Sequence, residues 1–198
     1  MKFVSQLNYT DMPYITRTSM EGEAREKGLT TTVRRSGCGL CSAVMVAHCL
    51  IPDCEFEVED ALKIAYDSEA NYRIGTSLKR LAPAFAECMG FDYEMTNDPE
   101  RLRYCLRTGG AAILHIKGDR EGHVGVFSHR GHYIMAFAEE RDGRIAVMDP
   151  SMVEGKYEED GRKGLVEVKN GVIALCDINV LVEDTLPATY SFYLFWRK

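Results

Sequence analysis

The sequence predicts an α+β domain, and three observations carry that prediction. Apolar residues recur at helical spacing up to about residue 110. Beyond it come six short runs that read as strands, at residues 111–116, 132–138, 144–148, 164–168, 172–175 and 190–196. Turn signals separate them: Lys117-Gly118-Asp119, Arg141-Asp142-Gly143 and Asn170-Gly171. Helices first and strands second is the α+β order. With 198 residues, no repeat and no linker composition, one domain is expected over 1–198. Residues 1–35 form its N-terminal arm, 36–110 its helical half and 111–198 its sheet half.

The helical half is organised around Ser36-Gly37-Cys38-Gly39, which runs into Leu40-Cys41-Ser42-Ala43-Val44-Met45-Val46-Ala47-His48-Cys49-Leu50. Glycines mark a start, and the apolar run predicts a helix buried on nearly every side. A cysteine at such a start sits beside unpaired N–H groups and the positive end of the helix dipole. Both lower a thiol pKa. Helices are further predicted over residues 57–66, over 78–88 ending at Gly90, and from the Asp98-Pro99 cap to Gly109-Gly110. Pro83 falls inside the second of these and is expected to kink it. In the arm, a short strand is expected at residues 2–6.

Composition excludes several classes. The chain is ordinarily globular, with 45% hydrophobic and 27% charged residues and a net charge of −6, so no electrostatic nucleic-acid binder is expected. No apolar window reaches membrane-spanning length and no signal-peptide core follows Met1, so a cytoplasmic protein without membrane association is expected. Seven cysteines, an odd number, read as free thiols. Cys38-x-x-Cys41 lacks the strand that should precede a thioredoxin-type pair. No second Cys or His pair stands at zinc spacing, and neither metal nor cofactor is expected.

A nucleophilic thiolate needs a base, and the base needs an orienting group. Of the five histidines, His48 lies inside the first helix, His115 lies mid-strand as a core residue, and His123 and His129 lie in a glycine-bearing loop. His132 opens a strand apolar on both faces, which places it at the end of a central strand on a rigid base. The following strand ends in Met148-Asp149-Pro150. If residues 140–143 form the loop, 139 pairs with 144 and 134 with 149, and Asp149 becomes the diagonal neighbour of His132. A strict two-residue Asp142-Gly143 turn instead places Asp149 opposite Ala136, out of reach. The pairing therefore requires the longer loop or a bulge. Taken alone, Asp149-Pro150 is an ordinary turn cap.

In this order, Ser36-Gly37-Cys38-Gly39, then Gly131-His132-Tyr133-Ile134, then Val147-Met148-Asp149-Pro150 resembles the papain-like cysteine peptidases. The likeness is closest to the bacterial double-glycine leader peptidases (family 39 of the cysteine peptidases) and their broader relatives, and spans residues 30–150. The resemblance implies a nucleophile helix packed on an antiparallel sheet, with Cys38 as nucleophile, His132 as base and Asp149 as its orienting group. It implies hydrolysis of a peptide or small amide substrate through an acyl-enzyme. The family's oxyanion glutamine stands shortly before the cysteine. Here Gln6, the chain's sole glutamine, fills that role only if the arm folds back. The papain branch uses the second cysteine of a Cys-Gly-x-Cys run, which makes Cys41 the fallback nucleophile. Two alternatives share the fold: an acyl or peptidyl transferase, and an inactive peptide-binding module. Residues 118–130 and 151–163 are the expected specificity loops. The substrate and the oligomeric state are not written in the sequence.

Overall fold

The computed structural model describes residues 1–15, 31–72 and 75–198. Two short strands, β1 (Pro13–Tyr14) and β2 (Thr31–Thr32), pair antiparallel and lead into helix α1 (Val33–Ser36). Gly37 then joins α1 to the long helix α2 (Cys38–Leu50). Two amphipathic helices follow, α3 (Val58–Asp67) and α4 (Leu78–Met89), with Pro83 inside the latter. Strand β3 (Phe91–Thr96) and helix α5 (Pro99–Arg107) complete the first half. Asp98 caps α5 by accepting the Glu100 N–H at 2.9 Å. The second half contains β4 (Ala111–Ile116), β5 (His132–Glu139), β6 (Ile145–Met148), β7 (Val166–Lys169), β8 (Ile173–Cys176), helix α6 (Ile178–Thr185) and β9 (Phe192–Arg197).

Strands β3 to β9 form one antiparallel sheet of seven, in the order β3-β9-β4-β5-β6-β8-β7. The chain is thus α+β, as the sequence predicts, but its helices lie on both sides of the sheet. One core joins α2, α3 and α4 to Ile113, Tyr133, Met135 and Phe195 on one face. A second joins α5 and α6 to Leu114, Ile134, Val147 and Leu194 on the other. The C-terminal aromatic run therefore alternates between two cores, Tyr193 and Phe195 in one and Phe192 and Leu194 in the other. Helix α5 crosses from the predicted helical layer to the opposite face, and α6 was not predicted at all. Its Ile-Asn-Val-Leu-Val segment is β-prone, and the Asp177 cap, which accepts the Asn179 N–H at 2.8 Å, tips it into a helix.

Helix α2 is buried on all sides because its sequence offers water almost nothing. Leu40, Val44, Met45, Val46 and Leu50 are each buried, worth about 1.5–3 kcal/mol apiece. Two glycines fit it into place. A Cβ on Gly37 would lie 2.4 Å from Val33 Cγ1 and 2.6 Å from the Val33 oxygen, and one on Gly39 would meet Thr76 at 3.0 Å. The expected strand at residues 2–6 is absent. Instead, Ser5 caps a 3₁₀ turn at Gln6–Asn8.

The β5–β6 hairpin sets the register that matters for the site. Glu139 pairs with Ile145, not Arg144, because the Glu140 N–H closes on the Arg144 oxygen at 2.8 Å. That alone would misplace Asp149 by one residue. A bulge at Phe137 takes up the difference: Ala138 pairs with Ala146, Ala136 with Val147 and Met135 with Met148. Ile134 thereby comes opposite Asp149 after all. Arg107 and Arg103 of α5 fix the turn, Arg107 Nη2 donating to Glu139 Oε1 at 2.8 Å and Arg103 Nη1 to the Gly143 oxygen at 3.2 Å. Among the described residues no helix is long and apolar enough to cross a membrane.

Candidate active site

Cys38 is the first residue of α2 and is partly exposed. It follows a helix join without a side-chain cap, since the cap residue is Gly37, and Ser36 Oγ bonds Thr31 Oγ1 at 3.0 Å. The first N–H groups of α2 are therefore left for another acceptor. The His132 ring and the backbone N–H groups of Gly39 and Tyr133 lie around the Cys38 sulfur and favour its thiolate. Burial by itself would raise the thiol pKa. The charge and hydrogen bond of His132, together with the two N–H groups, outweigh it and hold Cys38 below the ordinary thiol value.

His132 begins β5, and its Nε2 donates to Asp149 Oδ1 at 2.7 Å. That leaves Nδ1 as the nitrogen for Cys38. Burial opposes the imidazolium, but Asp149 and then Cys38 reverse the effect, and the His132 pKa is pushed up to about 9. By strand alternation His132 and Asp149 belong to the α5–α6 side of the sheet, whereas Cys38 arrives on a helix from the other side. The three meet where β5 and β6 run out, at the open end of the sheet.

Asp149 is fully buried and accepts five hydrogen bonds. Oδ1 takes His132 Nε2, the Ser151 N–H at 2.8 Å and Ser151 Oγ at 2.9 Å. Oδ2 takes Lys156 Nζ and the Tyr157 hydroxyl at 3.0 Å. Burial would raise its pKa, yet His132 and Lys156 hold it well below the usual carboxylate range. The carboxylate stays ionised and fixes the imidazole tautomer.

Gln6 does fold back onto this region. Its backbone N–H donates to the Pro150 oxygen at 2.9 Å and its Nε2 to the Arg34 oxygen at 2.7 Å, while Oε1 is buried without a partner among the described residues. Arg34 stands four residues before Cys38, so its carbonyl is the one a continuous helix would offer to the Cys38 N–H. Gln6 takes that carbonyl instead. The arm is further held by the Val33 N–H to the Met12 oxygen at 3.0 Å and by Tyr14, whose hydroxyl meets Thr76 Oγ1 at 2.8 Å. Part of the predicted arm, residues 16–30, lies outside the described residues.

The remaining candidates sit apart. Cys41 is fully buried one turn below Cys38, and burial, then the charge of Cys38, drives its pKa up. His48 bonds the Phe56 oxygen at 3.0 Å. His115 packs on Tyr133 at 4.8 Å between ring centres, and burial lowers its pKa to about 4. His123 Nε2 lies 2.8 Å from Asp184 Oδ1, and buried Asp184 also accepts the N–H groups of Val126 and Phe127 at 2.7 and 2.8 Å. His129 joins Asp119 and Glu159, each at 3.0 Å. The two expected specificity loops are thus tied to each other and to α6. Among the described residues no cluster of three His, Cys, Asp or Glu is arranged to hold a metal ion. Sequence reading missed Ser151, Lys156, Tyr157 and Asp184. The first three fall two, seven and eight residues after Asp149, in a charged turn segment that gave no sign of pointing inward. The sequence matches no family model and no curated protein.

Proposed function

We propose that the chain is a cysteine hydrolase of papain-like design, acting on peptide or small amide bonds. One observation carries the reading: a thiol of lowered pKa at a helix N-terminus lies against a histidine whose far nitrogen is 2.7 Å from a fully buried carboxylate. The Cys38 thiolate attacks the carbonyl carbon, and the imidazolium of His132 protonates the leaving amine. Water then enters with His132 as base, and the acyl-cysteine is hydrolysed. Asp149 holds the ring in register through both steps. The Cys38 N–H at the start of α2 supplies an oxyanion donor. Gln6, which bonds the Arg34 oxygen through one of its two amide hydrogens, would add another through the second.

The test is selective alkylation in mild acid. Cys38 is expected to react first of the seven cysteines, and His132→Ala to abolish that preference. Even labelling, or labelling indifferent to His132→Ala, overturns the proposal. An acyl or peptidyl transferase shares the first half-reaction, with an amine replacing water in the second. Product analysis with and without an added amine separates the two.

A further inference from the structure

Behind Asp149, turns in residues 151–165 carry a cation into the protein. The Lys156 side chain is 10% exposed, and its Nζ donates to Asp149 Oδ2 and, at 2.7 Å, to Ser151 Oγ. Burying an ammonium is costly unless it is paired, and a lysine in a charged surface turn is free to remain in water. This one is turned inward and held there. Arg162, itself 2% exposed, fastens the turn: its Nε donates to the Gly125 oxygen at 2.8 Å and its Nη1 to the Lys156 oxygen at 3.3 Å. Tyr157 packs edge-on against Phe127 at 5.5 Å and adds its hydroxyl to the same carboxylate oxygen as Lys156.

We propose that Lys156 is a positioning residue of the site, a counter-ion that keeps Asp149 ionised through the reaction cycle and sets the pH window of the Cys38–His132 ion pair. The proposal rests on the reading of Cys38, His132 and Asp149 given above. With Lys156 the site is a row of alternating charges: thiolate, imidazolium, carboxylate, ammonium. His132 and Lys156 take different oxygens of Asp149, so neither displaces the other. When His132 gives its proton to the leaving group, the carboxylate loses one of its two cations. Lys156 then remains, and Asp149 is not left as a bare buried anion. The same cation disfavours the imidazolium and favours the thiolate, so it moves both titrations to lower pH. Among the described residues, Cys41 on α2, Tyr14 on the arm and Tyr133 on β5 face the Cys38 end of the row, and Tyr157, with Arg162 on the turn and Cys176 on β8 beside it, faces the Asp149 end.

The experiment follows alkylation of Cys38 by iodoacetate, read by peptide mass spectrometry across about pH 4 to 10 in the intact chain. The wild type is expected to give a bell, rising as the thiolate forms and falling as the imidazolium that attracts the anionic reagent is lost. Lys156→Met, and Lys156→Gln, which keeps an N–H donor without charge, are expected to move both limbs to higher pH. The basic limb should move by about one unit and the acidic limb by less. Lys156→Arg, which keeps the charge, and Tyr157→Phe, which removes a neutral bond to the same oxygen, are expected to leave the midpoints in place. Unmoved limbs in folded Lys156→Met or Lys156→Gln, or an equal shift in Tyr157→Phe, overturn the role of Lys156 while leaving the site reading standing. A wild type without any bell overturns both.

Discussion

Replacing Asp149 with Asn changes one atom and removes the charge on which two buried cations depend. The first is His132, whose pKa of about 9 stands roughly 2.5 units above its ordinary value of about 6.5, equivalent to about 3 kcal/mol. Its folded value is the raised one, so this stabilisation is complete below about pH 6.5 and is lost as pH rises through about 9. The second is Lys156, buried against Oδ2; breaking a buried pair by removing one partner costs about 3–5 kcal/mol. The two share one carboxylate and do not simply add. At pH 6, Asp149→Asn should therefore lose about 3–5 kcal/mol, a large part of a typical 5–15 kcal/mol. At a pH of about 9.5 the wild type has already given up the histidine part. The gap between the two proteins should then narrow by up to about 3 kcal/mol. Urea unfolding at both pH values measures it. A gap that is constant with pH, or wider in alkali, refutes the assignment of the His132 shift to Asp149.

Two further predictions concern the approach to Cys38. Gly39→Ala gains helix propensity of about 1 kcal/mol but drives a Cβ to 3.0 Å from Thr76, an overpacking cost of about 1–3 kcal/mol. Thermal unfolding should shift little, while alkylation of Cys38 slows several-fold because the Gly39 N–H and the Thr76–Tyr14 bond are displaced; unchanged alkylation counts against this packing. Gln6→Ala should slow acylation by an activated ester about 100-fold, the order expected for a lost oxyanion donor. Alkylation by iodoacetamide, which forms no oxyanion, should be unaffected, and a parallel loss in both assays would make Gln6 merely structural.

Cys38, His132 and Asp149 were legible as candidates because each sits at a boundary written in local sequence: a glycine pair before an apolar run, a Gly-His strand start, an Asp-Pro strand end. Whether the last two meet was not legible. The hairpin closes one residue away from the register that four loop residues imply, and the Phe137 bulge, which no local signal marks, restores it. Gln6 shows a different limit. Its place beside Arg34 depends on a chain reversal across the arm, a long-range event without periodicity. Lys156 and Tyr157 lie in a segment whose charge predicts solvent exposure. Only the buried carboxylate, invisible in sequence, gives them reason to turn inward. Helix α6 was hidden by β-branched residues whose preference the Asp177 cap and the packing of Ile178 and Leu181 override.

The central claim is that Cys38 is a nucleophile served by His132 and Asp149. Its most direct test is the intact mass of the protein during reaction with an activated acyl ester, with the adduct mapped to a residue. The account predicts one acyl group on Cys38 that forms rapidly and then disappears as the ester is turned over, with both steps slowed in His132→Ala. Acyl groups spread over several cysteines and lysines, or a Cys38 adduct that forms at the same rate without His132, would contradict it.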